Sequence, residues 1–124
     1  MTLSDRLAHA TPSRKYITKE SFRAWLQKLA AAEPLNWLSM TRRSSCGCPI
    51  AMYLSLTHGK VFEVRSGTVR RYENRDDAFN REKQPLEVFV LPVWAQEFID
   101  RVDEGCEGPD SVNIKPSEAL ALLK

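Results

Sequence analysis

Hydrophobic residues change their spacing twice along this chain of 124 residues, and each change predicts a different kind of secondary structure. In the first third, apolar residues recur at the i, i+3, i+4 and i+7 positions of one helical face: Phe22, Trp25, Leu26 and Leu29. Thr18 is a favourable N-cap residue, and Pro34 disfavours helix at the residue before it. The pattern therefore predicts a helix over about 18–32.

The stretch from Cys46 to Gly59 separates this helical part from the middle of the chain. Pro49 suits the first position of a helix, where its missing N–H leaves no hydrogen bond unmade. Gly59 suits the left-handed residue that commonly ends a helix. Between them, apolar residues lie on one helical face: Ile50, Tyr53 and Leu54. We predict a second helix over 49–58.

In the middle of the chain the apolar spacing becomes alternating, which is typical of β-strands. Segments 60–65 and 68–72 are predicted to form a hairpin with a two-residue turn at 66–67. The register places the opposite charges of Glu63 and Arg70 beside each other on one face. The other face, which we expect to meet the core, contains two pairs: Val64 with Val69, and Phe62 with Arg71.

Further segments complete the predicted fold. The almost wholly apolar segment 86–91 is predicted to be the central strand of a three-stranded sheet. Prolines open two more helices, over 92–104 and 116–123. The polar segment 73–84 is predicted to be an exposed loop or a short surface helix, and 112–114 a short edge strand.

Together the elements predict an α+β fold in which a small antiparallel sheet of about three strands packs against four helices. Residues 18–124 form one domain, and residues 1–17 form a polar N-terminal tail or short helix. Helices are expected to cover one face of the sheet and to leave the other open, with Val61 and Tyr72 on the open face. The predicted core residues are Trp25, Leu29, Tyr53, Leu54, Phe62, Val64, Val88, Val90, Trp94, Phe98 and Leu120.

From Cys48 onward the chain resembles a group of small uncharacterised proteins known from phages and bacteria. Three stretches carry the resemblance: Cys48-Pro-Ile-Ala-Met-Tyr-Leu54, Leu91-Pro-Val-Trp-Ala-Gln-Glu-Phe-Ile-Asp-Arg-Val-Asp103 and Glu118-Ala-Leu120. The first two match a C-P-I/L-A-x-Y-L helix start and an L-P-x-W-A-x-x-F-I helix. The resemblance implies a compact α+β domain of phage or mobile-element origin, and it transfers no catalytic residue.

The cysteines are the first candidates for chemistry. Four residues could supply soft ligands to zinc: Cys46, Cys48, His58 and Cys106. Structural zinc sites favour about two to four residues between paired cysteines, and here only Gly47 intervenes, so we expect no bound metal and no cofactor. Cys48 is then either a buried apolar residue or weak N-cap, or a reactive thiol whose pKa is lowered at a helix N-terminus.

The sequence contains none of the motifs that mark nucleophilic hydrolases or nucleotide-binding enzymes. Its two histidines leave few side chains that could act as general bases, so we predict that the protein is not an enzyme. No apolar run reaches the roughly 18 residues of a membrane span, and the N-terminal residues lack an apolar signal segment. We therefore expect a cytoplasmic protein with reduced thiols and no membrane partner.

Charge is distributed unevenly, although the net charge is only +2. Residues 86–110 carry seven acidic residues and one basic residue, whereas residues 1–85 carry a net charge of +7. Basic residues and one tyrosine cluster in and near the hairpin: Arg42, Arg43, Lys60, Arg65, Arg70, Arg71, Tyr72 and Arg75. Such a ribbon could contact phosphates while the tyrosine stacks on a base, so nucleic-acid binding through 60–75 is one hypothesis. The alternative is a solvated face with salt bridges.

The hypothesis that we favour is a small non-enzymatic interaction or adaptor protein. An open sheet face can contact a partner, and basic and acidic regions can pair between two copies of one chain. We therefore expect a protein partner or self-association, with a homodimer as one form of it. The clustered basic residues and the tyrosine would then be contacts to a partner.

Overall fold

The protein is described by a computed structural model over residues 13–33, 39–104 and 113–124. The helices in these residues are α1 (Lys19–Ala32), α2 (Pro49–His58), α3 (Arg75–Ala78), α4 (Val93–Glu104) and α5 (Pro116–Leu122), with a 3-10 turn at Ser13–Lys15. The strands are β1 (Met40–Thr41), β2 (Val61–Arg65), β3 (Thr68–Tyr72), β4 (Glu87–Val90) and β5 (Asn113–Ile114). The predicted α+β fold is confirmed, and the four longer helices begin and end within one residue of their predicted bounds.

Helix α1 begins where its sequence predicts, and local hydrogen bonds show why. The Thr18 side chain accepts a hydrogen bond from the backbone N–H of Ser21, and the Ser21 hydroxyl accepts one from the N–H of Thr18, each at 3.1 Å. This reciprocal cap satisfies two N–H groups that the first turn leaves free. Ile17 and Phe22, on either side of the cap, are both buried and fix the direction in which the chain enters the helix.

The main sheet is antiparallel with the strand order β2-β3-β4, and β1 and β5 form a separate two-stranded pair. The turn residues Ser66 and Gly67 have φ angles of 49° and 79°, the left-handed values that a two-residue type I′ turn requires. The predicted hairpin register is confirmed for all three proposed pairs: Val64 with Val69, Glu63 with Arg70, and Phe62 with Arg71.

The position predicted for segment 86–91 is wrong, because β3 and not β4 lies in the middle of the sheet. Within β4, Phe89 faces the core and Val88 is buried on the opposite face, whereas Val90 is exposed and so is wrongly predicted as a core residue. A run of apolar residues indicates a strand that is at least partly covered on both faces. Such coverage does not require a strand neighbour on each side, so the run does not fix the strand order.

The second face of the sheet, on which Glu63 and Arg70 lie, is not open as predicted. Helix α3 packs over β2 and β3, and residues after it continue this cover. As a result Tyr72 and Glu63 are only 8% and 4% exposed. The segment 73–84 contains the predicted short surface helix, but it also shields the sheet.

Aromatic residues dominate the core on the first face of the sheet, which is the face that carries Phe62 and Val64. Phe22 meets Phe98 edge to face, with 5.2 Å between ring centroids. Burial is confirmed for six predicted core residues: Tyr53, Leu54, Phe62, Val64, Val88 and Phe98. Four others are half-buried: Trp25, Leu29, Trp94 and Leu120. The two tryptophans pack against the core without being enclosed, as is common for so large a side chain.

The C-terminal elements pack against the first part of the chain. Met40 of β1 pairs with Ile114 of β5, so a strand is present at Asn113–Ile114 as predicted, but it forms a separate pair with β1 and is not an edge of the main sheet. The Glu33 carboxylate accepts hydrogen bonds from the Ser117 backbone N–H at 3.0 Å and from the Ser117 hydroxyl at 2.9 Å. A carboxylate in this position stabilises the N-terminus of α5, which packs along α1.

Candidate functional site

The basic side chains of the hairpin lie beside carboxylates. Lys60 forms an ion pair with Glu73. Arg65 Nε and Arg70 Nη1 lie 3.4 and 3.6 Å from the same oxygen, Oε1 of Glu63. Because Glu63 is buried, its charge stays close to these two guanidinium groups and offsets part of the positive charge that the sequence places here.

Arg71 belongs to a cluster at the first face of the sheet, as its predicted register requires. Its Nη2 donates to Glu87 Oε1 at 2.5 Å, and the Tyr16 hydroxyl donates to the same oxygen at 2.5 Å. The Tyr16 ring stacks on Phe89 with 5.2 Å between centroids. Burial and the Glu87 carboxylate raise the pKa of Tyr16, and Arg71 opposes this shift. The cluster closes the core beside β4.

The remaining predicted contacts are distributed over the surface and the interior. Arg42 is buried, and its Nη1 donates to the carbonyl oxygen of Val102 at 2.5 Å. Arg43 is exposed on the adjacent loop. Tyr72 lies beneath α3, and the Arg75 guanidinium lies 5.9 Å from the centre of the Phe79 ring. The structure thus does not assemble the predicted residues into one exposed basic surface.

Cys48 is the N-cap of α2, and it is buried. Its Sγ accepts a hydrogen bond from the Ala51 backbone N–H at 3.5 Å. Burial raises the pKa of the Cys48 thiol to about 11, and the N–H groups of Ala51 and Ile50 offset only part of that rise. The hypothesis of a lowered pKa at this helix N-terminus is therefore wrong, because the cost of burying a thiolate exceeds the effect of the helix.

The proposed zinc ligands are not brought together in the described residues. Cys48 and His58 lie at opposite ends of α2, about 15 Å apart along a helix of this length. His58 Nε2 instead donates to the backbone carbonyl of Tyr16 at 2.6 Å. Cys106 lies outside the described residues. The prediction that the protein binds no zinc stays a prediction.

A cleft of about 640 Å³ lies between the hairpin turn, the loop before α2 and one face of α4. Cys48 and Val64, both nearly buried, form its floor together with the half-buried Ile99. Its rim carries two arginines and two aspartates: Arg43, Arg65, Asp100 and Asp103. This site was not predicted from the sequence. The i, i+3 spacing of the two aspartates on one face of α4 was the available signal.

Hydrogen bonds hold the loop that forms one wall of the cleft. The Thr41 N–H donates to the Gly47 carbonyl at 2.8 Å, and the Gly47 N–H donates to the Ser44 hydroxyl at 2.9 Å. Across the cleft, the Arg43 N–H donates to Asp103 Oδ1 at 2.9 Å. Arg43 has a φ of 57°, a left-handed conformation that costs about 1–2 kcal/mol in a residue other than glycine. The loop is therefore held in one conformation.

The opposite wall is the hairpin turn, which lies very close to α4. A Cβ atom on Gly67 would stand 2.9 Å from Cδ of Gln96, so only glycine fits here without displacing that side chain. The Gln96 amide in turn donates to the Leu91 carbonyl at 2.8 Å. Both walls of the cleft are thus fixed by the fold.

The outer edge of β4 is a second feature of interest. Three exposed apolar residues lie in β4 or close to its two ends: Leu86, Val90 and Val93, with exposures of 48, 47 and 69%. Within the part of the chain that the structure describes, β4 has a strand neighbour on one side only. The Leu91 N–H donates to the Gly67 carbonyl at 2.8 Å. Because N–H directions alternate along a strand, those of Val88 and Val90 face away from β3.

The described residues include no helix that is both long and apolar enough to cross a membrane. No protein-family model, curated protein or solved structure matches the chain.

Proposed function

We propose that the protein is a non-enzymatic interaction module of the cytoplasm, and that two copies associate through the outer edges of their β4 strands. The observation that carries the proposal is the apolar β4 edge, with Leu86, Val90 and Val93 exposed around it. In antiparallel contact, the two three-stranded sheets would join into one sheet of six strands. The odd number of cysteines, three, fits a reducing compartment.

The β4 edge is only four residues long, but it carries few of the side chains that normally keep sheet edges apart. Edge strands are usually protected by charged side chains, by proline within the strand or by a bulge. Here the only charged residue of β4 is Glu87, whose carboxylate is held on the first face by Arg71 and Tyr16. The outward N–H groups belong to Val88 and Val90, so the edge presents hydrogen-bonding groups flanked by valine side chains.

A second copy of the chain fits this edge because the edge complements itself. A two-fold axis between two antiparallel β4 strands pairs each strand with an identical one. Because the outward backbone groups belong to Val88 and Val90, either valine pairs with a valine of the other copy. In these registers Glu87 of one copy does not lie opposite Glu87 of the other. Leu86 and Val93 would extend the apolar contact at both ends of the strands.

The ion pairs of the hairpin weigh against nucleic-acid binding as the main activity. Lys60, Arg65, Arg70 and Arg71 all have a carboxylate within 4 Å in the structure. Contact with phosphates would require these pairs to separate or to be shared. Four free phosphate contacts would give a slope of about −3.6 in log K against log salt on duplex DNA, and we expect no such dependence.

Light scattering on the wild type and two variants tests the proposal. We expect the wild type to be a dimer and Val90→Lys to be a monomer, because lysines on paired edges would repel each other. Leu56→Lys is the matched control, since Leu56 is 59% exposed on α2 and lies outside the edge. A monomeric wild type, or a dimeric Val90→Lys variant, would show that the β4 edge is not the interface. Added nucleic acid that shifts the wild-type mass would favour the hairpin hypothesis.

A further inference from the structure

The cleft between the hairpin turn and α4 is large enough to hold a small molecule. Its volume of about 640 Å³ lies within the range of roughly 300–1,000 Å³ that is usual for such sites. Pockets of this kind are mostly formed before the ligand arrives. Here the hydrogen bonds of the 43–48 loop and the packing of Gly67 on Gln96 hold both walls in place.

Two of the cleft residues have a backbone conformation that is unfavourable for their type. Arg43 and Ser66 have φ angles of 57° and 49°, and they stand on opposite walls. In the described residues, only Lys60 shares this property among residues other than glycine. The type I′ turn accounts for the φ of Ser66, so the conformation that bears on a binding site is that of Arg43. Residues other than glycine in such conformations concentrate at binding sites, where the surrounding fold holds them in place.

The charges of the rim narrow the class of ligand. An anion that approached Arg43 and Arg65 would be repelled by Asp100 and Asp103. A simple cation that approached the two aspartates would be repelled by the two arginines. A molecule that carries both charges can satisfy both pairs of side chains. The floor of Cys48, Val64 and Ile99 offers an apolar surface between them.

We propose that this cleft binds a small zwitterion with an apolar side chain, of the size of an amino acid or a dipeptide. The ligand carboxylate lies against the arginines, and its ammonium group lies against the aspartates. Arg65 is suited to this contact because its side chain is 59% exposed, although its Nε lies 3.4 Å from Glu63 Oε1. The proposal is independent of association through β4, since none of the residues of the cleft belongs to that strand.

Isothermal titration calorimetry with leucyl-leucine tests the charge requirement. We expect the dipeptide to bind, and N-acetyl-leucyl-leucine and leucyl-leucine amide to bind at least about tenfold more weakly. Each analogue lacks one of the two charges and keeps both leucine side chains. Absence of heat with leucyl-leucine, or equal binding of all three compounds, would overturn the proposal.

Variants then locate the binding site. Arg65→Gln and Asp100→Asn should each weaken leucyl-leucine about tenfold, because each removes one charge from the rim. Glu97→Gln is the control, since Glu97 is exposed on the same helix but does not line the cleft. Circular dichroism should show that all three variants keep the wild-type fold. Unchanged binding in both rim variants would place the ligand elsewhere and reject the site.

Discussion

The two edges of the main sheet differ in how their backbone groups are satisfied. On the outer edge of β2, the Val64 N–H donates to the Ser45 carbonyl at 2.7 Å and the Phe62 N–H donates to the Ser55 hydroxyl at 3.2 Å. The outer edge of β4 has no strand neighbour among the described residues. The comparison shows that elements directly before a strand can close its edge, as the 43–48 loop and α2 do for β2.

The chain leaves β4 in a way that explains the difference. After Val90, Pro92 directs the chain into α4, which packs in the core through Ala95, Phe98 and Val102. The residues that follow β4 therefore pack against a face of the sheet and do not cover its edge. The protein closes one edge internally, and we propose that a second copy closes the other.

The largest expected effect is a difference in stability between a substitution on the inner face of β4 and one at its edge. Phe89→Ala should lower the free energy of unfolding by about 3–5 kcal/mol, because Phe89 is fully buried and stacks on Tyr16. Val90→Ala, one residue away, should change it by less than about 0.5 kcal/mol when measured on the monomer. Urea denaturation of both variants, at dilutions that dissociate the dimer, checks this difference. Similar losses in both would contradict the assigned faces.

The stability of the protein as a function of pH tests the loop that covers the outer edge of β2. The Cys48 N–H donates to the Ser44 carbonyl at 3.2 Å within the loop that covers β2, and the pKa of the Cys48 thiol is raised to about 11 from a usual 9.0. The folded state therefore holds this proton more tightly than the unfolded state. Stability should be unaffected below pH 9 and should fall between pH 9 and 11, by about 2–3 kcal/mol in total.

The control for this titration is Cys48→Ala, which retains Cys46 and all tyrosines. Its stability should decline less steeply over the same pH range, because the buried thiol is gone. The measurement is urea denaturation at a series of pH values. Parallel curves for the two proteins would mean that Cys48 ionises freely in the folded state.

The smallest effect concerns a single hydrogen bond at the β2 edge. Ser55→Ala removes the hydroxyl that accepts the Phe62 N–H, and we expect a loss of about 1–2 kcal/mol in unfolding free energy. Thr57→Ala, at an exposed position on the same helix, is the control and should have little effect. Faster hydrogen exchange at the Phe62 amide should accompany the loss. An unchanged exchange rate would show that Ser55 does not protect this edge.

Local patterns were sufficient to predict the helices and the hairpin. The cap at Thr18, the first-turn position of Pro49 and the alternation around Ser66 and Gly67 each depend on a few neighbouring residues. The strand order could not be predicted in this way. The hairpin itself excludes the central position predicted for β4, because two strands joined by a two-residue turn pair directly and leave a third strand only an outer position. The apolar run at 86–91 does not indicate which strand of the hairpin β4 pairs with.

The candidate sites depend on contacts between residues far apart in the sequence. The Arg43 N–H and the Asp103 carboxylate that it contacts are 60 residues apart, and so are the Arg42 guanidinium and the Val102 carbonyl. No single-sequence pattern indicated that Arg42 would be buried rather than exposed with its neighbour. The burial of Glu63 similarly requires α3 to fold back over the sheet, which its polar sequence did not indicate.

The contact between Glu33 and Ser117 has a consequence for how the protein folds. It joins residues 84 apart, so a long loop must close before α5 can lie along α1, whereas the β2–β3 hairpin closes a turn of two residues. Closure of long loops slows folding, and we expect the hairpin to form early and the α1–α5 contact late. Pulse-labelling hydrogen exchange during refolding would show this order as protection of β2 amides before those of α5.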